Sequence, residues 1–375
     1  MKSKRETSPT MRDVARASGV SAATVSHVLS GREKRVSAET RERVLAAMRE
    51  LRYRPTPQVD KQNPHKTRTI SFIVGQLSQS PILRHDYFAH LLDGALEACA
   101  LNGYSMTILV EQMWDRLGRE MRASFDGRCD GVIMLAPGEH DPMIPVLLER
   151  GLPVVALGSS FSIPGVSTVD SDNEQGAVLA VQHLWSLGHR KIAYIGARPS
   201  TVSSVERYLG YQRGMIECGG VEVECFAIFS SASSSDEAAR GFSDDSLPTP
   251  ESRAIQVEGW GEAAFRALRA SYPECTAVVC WNDDLGRTFC REALAQGVRV
   301  PEDLSVTAFD TTPNQHQDYP KLTTLRQQLP KIGKAGVDVL LSRVANPDQP
   351  DSVTKFATEL IVCESTSSPR PMKHF

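Results

Sequence analysis

The stretch SAATVSHVLSG at residues 21–31 combines hydrogen-bonding side chains with very small ones. Val25, Val28 and Leu29 recur at helical spacing and therefore predict the buried face of a short helix. The opposite face presents only small or neutral residues, namely Ala22, Ala23, Ser26 and His27. Methyl groups can contact thymine methyls in the DNA major groove, and an imidazole can bond a purine edge. Small residues suit ordinary helix packing equally well, so this pattern alone leaves both interpretations open.

Phosphate contacts are the second chemistry that this stretch offers. Ser21, Thr24 and the free N–H groups at the start of the helix can hold phosphate oxygens. Gly19, just before it, permits the left-handed conformation that ends a preceding helix and turns the chain. Helix, glycine turn and helix form the helix-turn-helix arrangement, whose second helix enters the major groove.

Two further helices are needed to position this one. The first is predicted to begin after Thr10, which forms a capping-box-like pair with Asp13. Its expected buried face consists of Met11, Val14 and Ala17. The third is predicted to begin after Ser37 and to end before Pro55. Its expected apolar stripe consists of Val44, Leu45, Met48 and Leu51.

Charge divides the chain into a basic head and an acidic body. Residues 1–68 carry 16 Lys/Arg and 7 Asp/Glu, a net charge of +9, whereas the remaining residues carry −12. This asymmetry indicates a polyanionic partner for the head alone.

The head resembles the DNA-binding domain of the lactose-repressor (LacI/GalR) family. The resemblance is carried by TMRDVARASGVSAATVSHVLSG, by VSAETRERV and by the closing YRP. It implies that Ala22, Ala23 and His27 read bases. It also implies backbone contacts at Thr10, Ser21, Thr24 and Ser30.

The linker at residues 57–68 departs from the family, which usually has a hinge helix whose leucine wedges into the minor groove. Asp60 and Gln62 stand where the family has its arginine and leucine. Pro57 and Pro64 limit any helix between them to about one turn. We therefore expect a polar tether and a less sharply bent operator.

The body alternates apolar runs with helical segments, which predicts parallel sheets covered on both faces. The expected strands lie in TISFIVGQ, SMTILV, GVIMLA, PVVALG, KIAYIGA and AVVCW. The resemblance continues here through VDSDNEQGAVLAVQHLWSLGHRKIAYIGA, ERYLGYQRGM, TAVVCWNDDLG and GVRVPEDLSVTAFD. It implies two Rossmann-like subdomains of the periplasmic-binding-protein type, joined by three crossovers around a ligand cleft. It also implies a homodimer.

Five cleft residues follow from the resemblance. Arg207 stands where the family clamps its effector, Asn282 and Asp310 occupy polar positions, and Tyr87 and Phe88 occupy aromatic ones. A guanidinium and a carboxylate can bond neighbouring hydroxyls of a sugar, while aromatic faces pack on its ring. The residues alone leave open a structural ion pair at Arg207 and core packing at both aromatic residues. Trp281 is expected to pack rather than to bind.

Two features of the body depart from the family. Gly158 and Ser159 stand where the family often has an aspartate and an arginine, so one charged ligand contact is absent. Residues 229–254 are rich in Ser, Asp and Glu and are expected to form a mobile surface insertion. A loop controlled by phosphorylation is the alternative.

Several classes of protein are disfavoured. No apolar stretch reaches the roughly 18 to 20 residues of a membrane span, and the N-terminus lacks the apolar core of a secretory signal. The eight cysteines form no CxxC pair, which favours reduced thiols in the cytoplasm, with a redox sensor at Cys275, Cys280 and Cys290 as the alternative. GxSxG, GxxxxGK(S/T) and HExxH motifs are absent, so we predict no enzyme, no metal and no cofactor.

The predicted fold class is an N-terminal all-α helix-turn-helix head followed by an α/β body. We expect an arm at 1–9, the head at 10–56, the linker at 57–68, an effector-binding and dimerisation domain at 69–366 and a tail at 367–375. The N-subdomain is expected at 69–167 and 326–343, and the C-subdomain at 168–325 and 355–366.

The predicted function is a homodimeric repressor that binds a near-palindromic operator in double-stranded DNA and responds to a small sugar-like effector. The alternatives are a regulator with a vestigial cleft that responds to a protein partner, a sugar-binding receptor, and an enzyme on the same body.

Overall fold

A computed structural model describes residues 9–29, 36–51, 53, 67–74, 86–110, 128–197, 201–221, 223–231, 253–310 and 319–370. The chain divides into two compact units, residues 1–67 and 68–375. Among the helices in these described ranges, none is long and apolar enough to cross a membrane. Ser30, the linker up to residue 66 and the tail from 371 lie outside the described residues.

The head contains three helices, α1 (Met11–Ser18), α2 (Ala22–Leu29) and α3 (Ala38–Glu50). Their common core consists of Val14, Ala15, Val25, Val44 and Ala47, with Met11, Val28, Leu29, Met48 and Leu51 packed around it. Two predictions were wrong, because Ala17 is exposed and Leu45 is 38% exposed. Ala15 and Ala47 take the buried positions instead, since the core between such short helices admits small side chains on the flanks of each apolar stripe.

The body contains seven helices and thirteen strands among its described residues. The helices are α4 (Asp86–Leu101), α5 (Met143–Glu149), α6 (Asn173–Ser186), α7 (Val202–Gly219), α8 (Gly261–Ser271), α9 (Asp283–Ala295) and α10 (Leu329–Ala345). The first six strands are β1 (Thr69–Val74), β2 (Ser105–Val110), β3 (Gly131–Leu135), β4 (Val154–Leu157), β5 (Val166–Ser171) and β6 (Ile192–Ala197). The others are β7 (Phe226–Ser231), β8 (Arg253–Glu258), β9 (Ala277–Cys280), β10 (Ser305–Phe309), β11 (Thr323–Arg326), β12 (Val353–Phe356) and β13 (Glu359–Ile361).

The strands form two sheets, as expected for two Rossmann-like subdomains. The first has the order β12-β5-β4-β3-β1-β2 and the second β13-β11-β10-β9-β6-β7-β8. All pairs are parallel except β11 with β13. Each of the six runs expected to form strands contains one. The fold class is therefore confirmed, and the ends of the strands form the edges at which ligands bind in such folds.

Three crossovers join the sheets, after β5, after β11 and after β12. Two predicted subdomain borders shift, since residues 168–171 complete β5 and residues 353–356 pair with that strand in the first sheet. The predicted insertion is also too wide, because residues 229–231 belong to β7 and 253–254 to β8. Residues 232–252 lie outside the described ranges.

Helix α4, which carries Tyr87, packs closely against α10 through glycine. A Cβ at Gly333 would overlap the Leu91 carbonyl oxygen, and one at Gly94 would overlap the Pro330 carbonyl oxygen. Helices α6 and α7 approach similarly, since a Cβ at Gly210 would overlap the Glu174 carbonyl oxygen. These contacts hold the helices that carry cleft residues in defined positions.

Candidate nucleic-acid interface and ligand cleft

Thr10 and Asp13 form a complete capping box at the start of α1. The Thr10 N–H donates to Asp13 Oδ2 over 2.9 Å, and the Asp13 N–H donates to Thr10 Oγ1 over 3.4 Å. The hydrogen bond from the Thr10 side chain is the main reason that the pKa of Asp13 is lowered. Gly19, with φ of 67°, ends α1 in the left-handed conformation and leads directly into α2.

The first turn of α2 presents the side chains expected to contact DNA. Ser21, Ala22 and Ala23 are exposed, while Thr24 and His27 are partly exposed beside them. The Ser21 oxygen accepts the Thr24 N–H over 3.1 Å, and the two hydroxyl oxygens lie 2.9 Å apart. Val25 on the opposite side is fully buried, so packing in the head turns this small polar face outward.

Arg207 lies at the centre of the polar cluster in the body and is only 4% exposed. It donates to Asn173 Oδ1 over 2.9 Å, to the Trp281 carbonyl oxygen over 2.7 Å and to Asp310 Oδ1 over 2.8 Å. Its Cζ lies 3.8 Å from the centroid of the Phe309 ring. The guanidinium is thus held by α6, β9 and β10 at once, and a structural ion pair with Asp310 is part of its role.

Asp310 follows β10 with φ of 91°, a conformation that non-glycine residues seldom adopt. Its carboxylate accepts from Gln327 as well as from Arg207. Gln327 in turn accepts from Ser171. Gln327 and Ser171 lie at two of the three crossovers, so this chain of hydrogen bonds connects the cleft to the hinge between the subdomains.

Two more carboxylates line the same region. Asp170, at the end of β5, is 2% exposed and accepts from Ser171 N over 2.7 Å and from Asn173 Nδ2 over 3.0 Å. Burial is the main cause that raises its pKa from 3.8 to about 7. Glu206, beside Arg207 on α7, accepts from Ser160 over 2.5 Å and from Lys355 over 2.8 Å. Because Ser160 follows β4 and Lys355 lies in β12, Glu206 connects the second subdomain to the first.

Tyr87 faces this cluster from α4. Its hydroxyl would lie 2.5 Å from a Cβ at Gly158, so glycine at that position leaves room for the tyrosine. Burial, followed by the charges of Asp170 and Asp310, raises the pKa of the Tyr87 hydroxyl. Ser159 is 1% exposed and donates to the Pro137 carbonyl oxygen over 2.8 Å, so its hydroxyl is bonded within the first subdomain.

The two other residues expected in the cleft, Asn282 and Phe88, differ in their surroundings. Asn282 caps α9 by accepting the Leu285 N–H over 2.9 Å, which leaves its amide nitrogen for another partner. Phe88 is 1% exposed and packs edge-on against Phe72 at 6.0 Å in the core of the first subdomain. Phe88 therefore packs in the core, the alternative that the residues alone left open, and its contact with a ligand stays a prediction.

Four residues of the polar cluster were not predicted from the sequence, namely Asp170, Asn173, Glu206 and Gln327. A signal was present for Asp170, since it lies near the carboxyl end of β5, at the edge where ligands bind in such folds. Asn173, Glu206 and Gln327 gave none, because their polar partners are distant in sequence. Among the described residues, no group of three or more His, Cys, Asp or Glu could hold a metal ion.

Comparison with known families divides the chain into two matched regions. Residues 10–56 match the model "Bacterial regulatory proteins, lacI family". Residues 181–366 match a "Periplasmic binding protein-like domain".

Similar proteins extend over nearly the whole chain. The "HTH-type transcriptional regulator CelR" of Thermobifida fusca is 29% identical over 366 residues, which cover 96% of this chain and 99% of CelR. The "HTH-type transcriptional repressor PurR" of Mannheimia succiniciproducens is 27% identical over 95% of this chain and 98% of that repressor.

Two solved structures share the fold. A CelR–cellobiose complex is 28% identical with a TM-score of 0.65, covering 95% of this chain and 99% of that one. The lac repressor dimer bound to operator and the anti-inducer ONPF has a TM-score of 0.69 at 22% identity. The match covers 96% of this chain and 100% of that one.

Proposed function

We propose, because this chain belongs to the LacI family of bacterial regulatory proteins, that it is a transcriptional repressor controlled by a neutral, sugar-like effector. The observation that carries the proposal is the combination of an exposed Ser21–Ala23 turn on a helix-turn-helix head with a buried Arg207–Asp310 pair at the carboxyl edge of the second sheet. The relatives are regulators of transcription, and the protein acts as one, in the cytoplasm.

DNA recognition is assigned to α2, with Ser21 before it, and to the N-cap of α1. Ala22, Ala23 and His27 read base edges, and Thr10, Ser21 and Thr24 contact the backbone. Small side chains at positions 22 and 23 allow close approach of the helix to the bases. As a homodimer, the protein addresses a near-palindromic site with two heads.

Selection of binding sites from random duplex DNA tests this assignment. We expect one near-palindrome from the purified protein, relaxed at one symmetric pair of positions in His27→Ala. Leu45→Ala, at an exposed position on α3, is the control and should recover the original site. Binding without sequence preference that weakens steeply with salt would contradict the assignment, whether or not cell-extract metabolites are added.

The charges of the cleft support a neutral effector. Among the described residues of the cleft, the carboxylates are Asp170, Glu206 and Asp310, and the cations paired with them are Arg207 and Lys355. An anionic ligand would face at least as many carboxylates as cations, which disfavours its binding. The hydroxyl groups of a neutral ligand can bond both carboxylates and a guanidinium. A solved structure of the relative CelR is a complex with cellobiose, which has this chemistry.

Ligand binding is expected to act on the contacts between the subdomains. The hydrogen bonds from Ser160 and Lys355 to Glu206 join the two sides next to Arg207. An effector that binds one arrangement of the subdomains better than another shifts their populations, and couplings of about 1–3 kcal/mol are typical.

Thermal shift with neutral sugars, sugar phosphates and nucleobases tests the effector class. A ligand at 100 times its Kd stabilises the protein by about 2.7 kcal/mol. We expect stabilisation by a neutral sugar and a change in operator affinity with the same ligand. Stabilisation by sugar phosphates alone would contradict the charge argument. No stabilisation by any member would favour control by a protein partner.

A further inference from the structure

Tyr194 has a buried hydroxyl that the fold does not satisfy. The residue is 1% exposed, and its hydroxyl has no hydrogen-bond partner within the described part of the chain. Neighbouring Tyr211 differs, because its hydroxyl donates to the Ile192 carbonyl oxygen over 2.9 Å and accepts the Phe226 N–H over 3.0 Å. An unsatisfied buried hydroxyl destabilises a fold, so its presence requires an explanation.

The Tyr194 side chain points toward the cleft. A Cβ at Gly196, two residues further along β6, would overlap the Tyr194 ring. The ring therefore leans along its strand toward the carboxyl end, where the polar cluster lies. The Tyr194 ring packs against Tyr208, the residue that follows Arg207 on α7, with ring centroids 5.3 Å apart.

Trp281 offers a second unsatisfied group in the same place. Its indole N–H is buried without a partner among the described residues. The Trp281 backbone N–H donates to the Ile195 carbonyl oxygen over 2.7 Å, which sets Trp281 beside Gly196 on the adjacent strand. The Arg207 Cζ lies 5.9 Å from the centroid of the Trp281 ring. The two groups therefore lie on adjacent strands at the carboxyl edge of the second sheet, where Arg207 approaches the Trp281 ring and Tyr194 packs against the residue next to Arg207.

We propose that Tyr194 and Trp281 form a subsite that binds one hydroxyl group of the effector beneath Arg207. The indole donates only, whereas the phenol both donates and accepts. A hydroxyl matches this set, because its oxygen accepts the indole N–H while its own hydrogen reaches the phenol oxygen. The inference rests on the proposed function of the cleft as a site for a neutral sugar, and it makes Tyr194 a residue that determines specificity.

The test compares Tyr194→Phe with Tyr211→Phe, which removes a satisfied hydroxyl from the same aromatic cluster. The probes are cellobiose, other neutral sugars that stabilise the wild-type protein, and their monodeoxy analogues. In Tyr194→Phe we expect a roughly 2- to 10-fold weaker Kd for the intact sugar, the effect of one buried hydrogen bond. Trp281→Phe should weaken the same sugar similarly.

Discrimination between probes separates a ligand contact from a packing effect. Wild-type protein should prefer the intact sugar to one particular monodeoxy analogue, and Tyr194→Phe should bind these two equally. The Tm of the ligand-free Tyr194→Phe protein should be unchanged or higher, because the substitution removes an unsatisfied group. Tyr211→Phe should lower the Tm and keep the discrimination.

Three results would overturn the inference. If Tyr194→Phe retains the affinities and the discrimination of the wild type, the hydroxyl does not contact the effector. If it lowers the Tm as Tyr211→Phe does, while the preference persists, the hydroxyl is bonded within the protein or to a buried water. If the wild-type protein responds to no neutral sugar, the proposed effector class fails, and the subsite fails with it.

Discussion

Asp170 should make the stability of the body depend on pH in an unusual direction. Its carboxyl group is buried at the end of β5, and its pKa is raised from 3.8 to about 7. Between these two values the folded protein binds more protons than the unfolded chain. The free energy of unfolding therefore decreases as the pH rises through this window and becomes constant above it.

The size of the effect follows from the shift in pKa. One pKa unit corresponds to about 1.36 kcal/mol, so ionising Asp170 in the folded state costs roughly 4 kcal/mol over the whole window. Between pH 5 and pH 8 the expected loss is roughly 3 kcal/mol. His183 and His189 act in the opposite direction, because burial lowers the pKa of each imidazole. Their contribution cancels in a difference between two variants that both retain them.

Urea unfolding of the wild type and of Asp170→Asn from pH 5 to pH 8 measures this difference. Tryptophan fluorescence reports on the body alone, since all four tryptophans lie beyond residue 68. We expect the wild type to lose stability relative to Asp170→Asn as the pH rises. Asp303→Asn is the control, because Arg299 holds the pKa of Asp303 at about 2 and its difference curve should be flat. Parallel curves for the wild type and Asp170→Asn would refute the assignment of a burial-raised pKa.

Three other substitutions test local features. Thr10→Ala removes the capping box of α1 and should lower the free energy of unfolding of the head by about 1 kcal/mol. Circular dichroism during thermal unfolding measures this change, and an unchanged midpoint would show that the cap contributes nothing. Arg207→Lys keeps the charge, but one ammonium group cannot reach acceptors that are spread around the planar guanidinium. We expect a loss of about 1–3 kcal/mol in the stability of the body by urea unfolding, and equal stability would argue against the three-way contact. Gly333→Ala forces a methyl group into the Leu91 carbonyl and should lower the free energy of unfolding by about 1–3 kcal/mol. Gly138→Ala is the control, because its methyl group meets open space and should leave stability unchanged. Equal unfolding midpoints for the two variants would rule out the close approach of α4 and α10.

The head was predictable because its determinants are local. Thr10 and Asp13 cap α1 across three residues, Gly19 ends it, and Ser21 caps α2, all within one stretch of twelve residues. The errors at Ala17 and Leu45 concern flanking positions of the apolar stripe. Which flank is buried depends on the angle between helices, and spacing alone does not specify that angle.

The candidate cleft was predictable only in part. Arg207 and Asp310 were both expected, and the structure brings them to 2.8 Å although 103 residues separate them. The family resemblance placed both Tyr87 and Phe88 at aromatic cleft positions, with core packing as the alternative. The rotation of α4 on the sheet, which turns Phe88 into the core, is decided by helix packing at Gly94 and Gly333.

The sequence by itself determined the order of helices and strands, the division between a basic head and an acidic body, and the family. These properties depend on local spacing, on capping residues and on composition, all of which can be read without tertiary contacts. Only the tertiary structure decided that Asp170 is buried away from water, that Glu206 connects the two subdomains, and that the Tyr194 hydroxyl is buried without a partner among the described residues. The reason is physical, because burial and pairing depend on groups that are distant in the chain and meet only at the edges of folded sheets.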